Sequence, residues 1–76
     1  GLAIKIGQTQ IFMDTPYRNQ KLYENIVEVC DARTYLCIAL NVDSPDGYIK
    51  TMSIADWRKC SITLPKQPCL FLINKV

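Results

Sequence analysis

Apolar residues alternate with small or polar ones in the middle of the chain, and this alternation constrains the fold more than any other feature. In residues 35–42, one parity carries Leu36, Ile38, Leu40 and Val42, whereas the other carries no large aliphatic residue. A period of two is typical of a β-strand that buries one face. The sequence therefore predicts a strand here, with its aliphatic row facing the core.

A second segment, residues 26–31, has the same alternation and predicts a partner strand. Val27 and Val29 share one face of it. The four residues that link the two segments begin with Asp31, and Asp suits the first position of a type I turn. The two strands and this turn together predict a β-hairpin.

The predicted hairpin fixes the positions of two cysteines. If both apolar faces look at one core, Val29 pairs with Ile38 or is shifted from it by two residues. The unshifted register places Cys30 opposite Cys37 on the outer face. A shift by one residue would turn an apolar row into water, which the free energy of burial opposes. Cys30 and Cys37 are therefore expected to be cross-strand neighbours.

The same part of the chain also allows a helix. Leu22, Ile26, Val29 and Cys30 recur at helical spacing, and neither Gly nor Pro interrupts residues 17–44. The strand interpretation is preferred because several of these residues are β-branched and because the alternation continues after residue 35.

Shorter patterns predict the N-terminal elements. Residues 2–6 predict a short strand that Gly7 stops or bends, and a second short apolar piece follows at residues 11–13. The Thr-Pro pair at residues 15–16 suits a helix start, because Thr is a good cap and Pro is tolerated at the first helical position. The pattern is compatible with a short helix near residues 16–24 and, because its apolar face is thin, equally with a structured loop.

The second half of the chain predicts three further strands. They cover residues 48–54, 61–64 and 69–76, with a turn over 43–47 and a short 3₁₀ turn over 55–58 between them. Lys50 falls on the core face of the first, which requires a bulge or a sheet edge. The last strand is apolar on both faces, so it is expected to be central or covered by a partner.

These elements predict a mainly β fold. It would be a small five- to six-stranded SH3-like or Sm-like barrel or a curled antiparallel sheet, and an α+β fold with a helix over 16–33 is the alternative. Residues 1–76 form one domain, since a chain of this length is too short for two. Such a chain buries only about 60–65% of its unfolded surface, so a partner, a metal or disulfides would add stability.

The side chains that carry chemistry argue against catalysis. The chain has no histidine, and therefore no imidazole base and no histidine metal ligand. Its four cysteines are spaced C-x6-C-x22-C-x8-C, and neither close pair has the spacing of a zinc site. We predict no catalytic, cofactor or metal residue, and thiols that act as small apolar side chains are favoured over disulfides.

Net charge and hydropathy exclude few classes of function. The net charge is +2 with scattered basic residues, which does not by itself imply nucleic acid or a membrane. No apolar run approaches the roughly 18 residues of a membrane span, and no signal-peptide pattern is visible. The compartment is left open, with the cytoplasm favoured.

Tyr and Trp beside Arg form the clearest functional pattern, because this composition is typical of protein interfaces. The candidate partner-binding residues are Arg33, Tyr35, Tyr48, Trp57 and Arg58. The leading hypothesis is a non-enzymatic binding or adaptor module that associates with itself and with a protein partner.

Two other functions are weighed against it. A nucleic-acid-binding barrel would require folding to gather Arg33, Lys50, Arg58 and Lys59 on one face. An enzyme could form its site at an oligomer interface, where each symmetry-related subunit contributes the same few residues to one site. The short chain also fits an accessory protein of a phage or mobile element.

Overall fold

The structure, a computed structural model, describes residues 2–41, 45, 47–60 and 62–74. Within them, five strands form a single antiparallel sheet whose strand order is β1-β2-β5-β3-β4. The elements in chain order are β1 (Leu2–Ile6), β2 (Thr9–Met13), a 3₁₀ turn (Pro16–Arg18), α1 (Asn19–Val29), β3 (Tyr35–Leu40), β4 (Tyr48–Ser53), α2 (Ile54–Arg58) and β5 (Cys69–Asn74). The prediction of a mainly β fold is confirmed.

The sheet is open rather than closed into a barrel. Strands β1 and β4 are its two edges, and within the described ranges neither pairs with the other. The curled antiparallel sheet is therefore the correct form of the prediction.

The first two strands form a tight hairpin. Ile6 pairs with Thr9, and Gly7 between them has φ 60°. A two-residue hairpin loop requires a positive φ at its first central residue in the type II′ turn, and glycine adopts it without steric cost. The predicted break at Gly7 is confirmed as this turn.

The predicted strand over residues 26–31 is wrong, because these residues belong to or follow helix α1. The helix buries Asn19, Tyr23 and Ile26, which recur at helical spacing on one face. The helical alternative thus describes this segment better, although the helix ends at Val29. The free energy of packing this face outweighs the β preference of the branched residues.

The predicted pairing of Cys30 with Cys37 is wrong for the same reason. Strand β3 pairs on one side with β4 and on the other with β5. Cys37 lies opposite Leu72 and Thr51 in the sheet, whereas Cys30 is the residue that caps the C-terminus of α1.

Strand β5 is the central strand, as the apolar character of both its faces predicts. It lies between β2 and β3, so the chain passes from β2 through α1 to β3 across the position that β5 later fills. Cys69, Phe71 and Ile73 are buried on the face that the helices cover. We call this the helix side, and the opposite face of the sheet the outer face.

The prediction that β4 is antiparallel to β3 is also confirmed. Lys50 pairs with the buried Ile38 on the helix side, yet Lys50 itself is exposed because β4 is an edge. The register runs without a bulge, so an exposed edge resolves the conflict seen in the sequence.

The core lies between the helix side of the sheet and the two helices. Its fully buried side chains include Leu36, Ile38, Ile54, Trp57 and Phe71. The turn predicted over 55–58 is one turn of α-helix, which Ser53 caps by accepting a hydrogen bond from the Asp56 N–H.

The strand predicted over 61–64 is not found in residues 62–64. The side-chain amide of Gln20 replaces a neighbouring strand, because it accepts from the Leu64 N–H at 2.7 Å and donates to the Ile62 carbonyl at 3.2 Å. Most of the turn predicted over 43–47, with Ser61 and the last two residues, lies outside the described residues.

Candidate binding surfaces

Arg58 links the two helices at the end of α1. Its guanidinium donates from Nε to the Val27 carbonyl at 2.8 Å and from Nη2 to the Cys30 carbonyl at 2.7 Å. The last carbonyls of a helix have no intrahelical donor, and a cation there also interacts favourably with the helix dipole. Arg58 therefore fixes α2 against the C-terminus of α1.

The connection from α1 to β3 is a compact turn. The Thr34 N–H donates to the Asp31 carbonyl at 2.9 Å, so the predicted turn is confirmed although a helix precedes it. The Asp31 carboxylate accepts from the backbone N–H of Arg33 at 2.8 Å. That hydrogen bond, aided by the charges of Arg33 and Arg58, lowers the pKa of Asp31.

The structure brings together two of the predicted partner-binding residues. Arg33 and Arg58 both lie near Asp31, and the Arg33 Nε is 3.6 Å from its carboxylate. Tyr35 begins β3 directly after this turn and is half exposed. Two cations thus lie near one carboxylate at this turn.

The other two predicted residues lie elsewhere. Trp57 is 1% exposed and supports the core rather than the surface. Tyr48 is exposed at the far end of β4, where it pairs with Leu40. The sequence hypothesis of one Tyr/Arg/Trp surface thus reduces to Arg33, Tyr35 and Arg58 around one turn.

A groove of about 580 Å³ lies between α1 and strands β2 and β5. This volume falls within the range of about 300–1,000 Å³ that is typical of ligand pockets. Asp31 and Arg33 stand among its polar residues. Its apolar lining consists of Phe12, Leu22, Ile26, Val29, Cys30 and Ile73.

The rim of the groove includes an exposed aliphatic residue. Val29 is 79% exposed, although it lies on the helix that covers the sheet. The sequence hypothesis missed the groove because it placed Val29 in a strand core. The helical spacing of Leu22, Ile26, Val29 and Cys30 was the signal that could have found it.

The four cysteines form no disulfide. Cys69 is the most deeply buried of them, at 2% exposed. Burial, with a smaller effect of the nearby Cys37, raises the pKa of the Cys69 thiol from 9.0 to about 11.

Cys69 is therefore expected to be the slowest cysteine to react with iodoacetamide in the native protein at pH 8. The thiolate is the reactive form, and a rise of about two pKa units lowers its population about 100-fold. Mass spectrometry of each labelled peptide over time measures the four rates. Labelling of Cys69 as fast as that of the half-exposed Cys60 would contradict the burial of β5.

Several kinds of site are not found in the described residues. No group of three or more His, Cys, Asp or Glu side chains there could hold a metal ion. No helix within the same ranges is long and apolar enough to cross a membrane. The chain matches no protein-family model, and a comparison with curated proteins finds no significant relative.

Proposed function

We propose that the protein is a non-enzymatic binding module that takes an apolar segment of a protein partner into the groove between α1 and β2. The observation that carries this proposal is an apolar groove of about 580 Å³ whose rim exposes Val29 and Arg33 to solvent. Apolar pockets with a few polar groups are the usual binding sites of folded domains.

The shape and charge of the groove define the chemistry of the partner. Six apolar side chains would surround one or two bulky apolar residues of the bound segment, and such anchors dominate the free energy of interfaces. Arg33 is 89% exposed and lies beside the Asp31 carboxylate, whose pKa the charge of Arg58 also lowers slightly. The excess positive charge favours an acidic residue next to the anchor.

A displayed library of random peptides, selected against the protein, tests this proposal. The selected peptides should share a bulky apolar residue near an Asp or Glu. Val29→Glu should weaken their binding at least about tenfold, because it removes apolar contact and repels the acidic residue. Titration calorimetry measures the dissociation constants.

Tyr17→Glu is the matched control, because Tyr17 is also 79% exposed but does not line the groove. It should bind the peptides as the wild type does. Arg33→Gln should weaken binding a few-fold and reduce its salt dependence. Peptides that bind Val29→Glu at wild-type affinity would rule out the groove as the site.

A further inference from the structure

Among the residues that the structure describes, the outer face of the sheet carries no charged side chain. The strand register places its described side chains in three rows that cross the sheet. From β1 to β4 the first row is Ile6, Thr9, Asn74, Tyr35 and Ser53, the second is Ile4, Ile11, Leu72, Cys37 and Thr51, and the third includes Met13, Leu70, Ala39 and Ile49. A face open to water usually carries charged as well as polar residues, whereas the polar residues of this face are the uncharged Thr9, Asn74, Ser53 and Thr51.

Large apolar side chains on this face are exposed. Ile49 is 67% exposed, Ile6 64% and Ile4 47%. Met13 and Tyr35 are also exposed there. Single exposed aliphatic residues are ordinary, but the second and third rows together form a mostly apolar patch, and patches of this kind mark interaction surfaces.

The charges of the sheet lie on the other side and at its edges. Within the strand bounds the charged residues are Lys5 and Lys50, and both point to the helix side. Lys5 lies on the edge strand β1 and Lys50 on the edge strand β4. Lysines on edge strands oppose the addition of another strand. Association through the edges is thus disfavoured, whereas no described charged side chain on the outer face opposes association there.

From this distribution we infer that the outer face binds the outer face of a second copy of this chain. Two copies related by a two-fold axis would bring uncharged rows against uncharged rows, so no ion loses its hydration without a partner. Two sheets packed in this way lie about 10 Å apart and form a sandwich. The helices, the groove and both edge lysines would remain outside the interface.

The size of the face predicts a reversible dimer. Five strands about 4.8 Å apart and about five residues long make a face of roughly 24 by 17 Å. Its projected area is on the order of 400 Å², and side-chain relief adds to this, whereas standard interfaces bury about 800 Å² per partner. We therefore expect a dissociation constant on the order of 1–100 µM.

Sedimentation equilibrium between about 1 µM and 1 mM protein tests the inference. The wild type should convert from monomer to dimer across this range. Ile49→Glu and Ile4→Glu lie on opposite edges of the face, and each should raise the dissociation constant at least about 30-fold. Both side chains are largely exposed in one chain alone, so the monomer should keep its fold and its circular dichroism spectrum.

Tyr17→Glu, which adds the same charge outside the sheet, should dimerise as the wild type does. A wild type that stays monomeric at about 1 mM would overturn the inference and leave the face to a different occupant. Dimerisation that both outer-face variants leave unchanged would overturn it as well. Either failure would leave the groove and its peptide test unaffected, because the two surfaces lie on opposite sides of the sheet.

Cys37 supplies a second readout, because it is a half-buried thiol in the middle row of the outer face. Its rate of alkylation, divided by that of Cys60 in the same sample, should fall as protein concentration rises through the dimer range. Cys60 follows α2 on the helix side and serves as the internal reference. A constant ratio in a protein that does dimerise would place the interface elsewhere and overturn the inference.

Discussion

Trp57→Ala is expected to remove at least about a third of the free energy of unfolding at 25 °C. The side chain of Trp57 is 1% exposed, and its indole N–H donates to the Leu36 carbonyl at 2.9 Å. Its ring meets that of Tyr23 edge to face, with centroids 5.9 Å apart. Removing a buried aromatic side chain costs about 3–5 kcal/mol, and this variant also removes the donor of a buried carbonyl.

The small size of the domain makes this cost decisive. Stability of about 0.05–0.15 kcal/mol per residue corresponds to roughly 4–11 kcal/mol for a chain of this length. One substitution would thus remove between about a third and nearly all of that free energy of unfolding. Urea unfolding followed by circular dichroism measures the loss directly.

Trp57→Phe provides the graded control, because it keeps most of the buried aromatic area and loses the N–H donor. We expect a loss of about 1–3 kcal/mol for this variant, clearly less than for alanine. A midpoint for Trp57→Ala close to that of the wild type would mean that α2 does not depend on the packing of Trp57.

The sequence contained enough information for this part of the core. An isolated Trp between polar residues, at a short turn after a strand, is typical of a side chain that closes one end of the core, although composition also placed Trp57 among the candidate partner-binding residues. The central position of β5 was predictable too, because a strand apolar on both faces loses free energy in any edge position. Lys50 on the core face of β4 indicated either a bulge or a sheet edge, and the structure shows the edge.

The error around α1 has a physical cause in long-range packing. Residues 26–31 match a period of two and a period of 3.6 at once, and local preference favoured the strand. The prediction that Cys30 faces Cys37 then assumed that strands consecutive in the sequence pair with each other. In the structure β5, more than thirty positions later in the chain, takes the place next to β3, and nothing local in the sequence specifies that insertion.

The candidate surfaces were less predictable than the fold. Arg33 and Arg58 were selected for their composition, but their meeting at Asp31 depends on how α2 packs against α1. The outer face was not identified from the sequence, because the order of the strands decides which side chains share it. Only the register shows that its uncharged rows run across all five strands.

Asn19→Asp is expected to have the second large effect on stability. Asn19 is 1% exposed at the start of α1, and its Nδ2 donates to the carbonyls of Pro65 and Gln67. These two bonds hold the segment before β5 against the helix. In the variant an oxygen replaces the nitrogen, so a buried carboxylate would face two carbonyl oxygens. We expect a loss of about 3–5 kcal/mol at pH 7, comparable to breaking a buried pair.

The pH dependence of that loss separates charge from shape. Burial beside carbonyl oxygens would raise the pKa of the new carboxyl above the value of about 3.9 for Asp in the unfolded chain. The native state then holds more protons than the unfolded state above pH 4, so the stability of the variant falls as pH rises toward the folded pKa. The lowered pKa values of Asp14 and Asp31 act equally in wild type and variant, and they cancel in the difference.

Asn19→Leu is the control for this test, because it removes the same two hydrogen bonds without adding a charge. Its loss relative to the wild type should be about 1–3 kcal/mol and nearly constant between pH 3 and 8. Denaturant unfolding at several pH values should show the Asp variant close to the Leu variant at pH 3 and well below it at pH 7. Parallel curves for the two variants would show that the Asn19 site admits water. The segment before β5 would then be held by Gln20 and by the packing of Leu64 rather than by the buried amide.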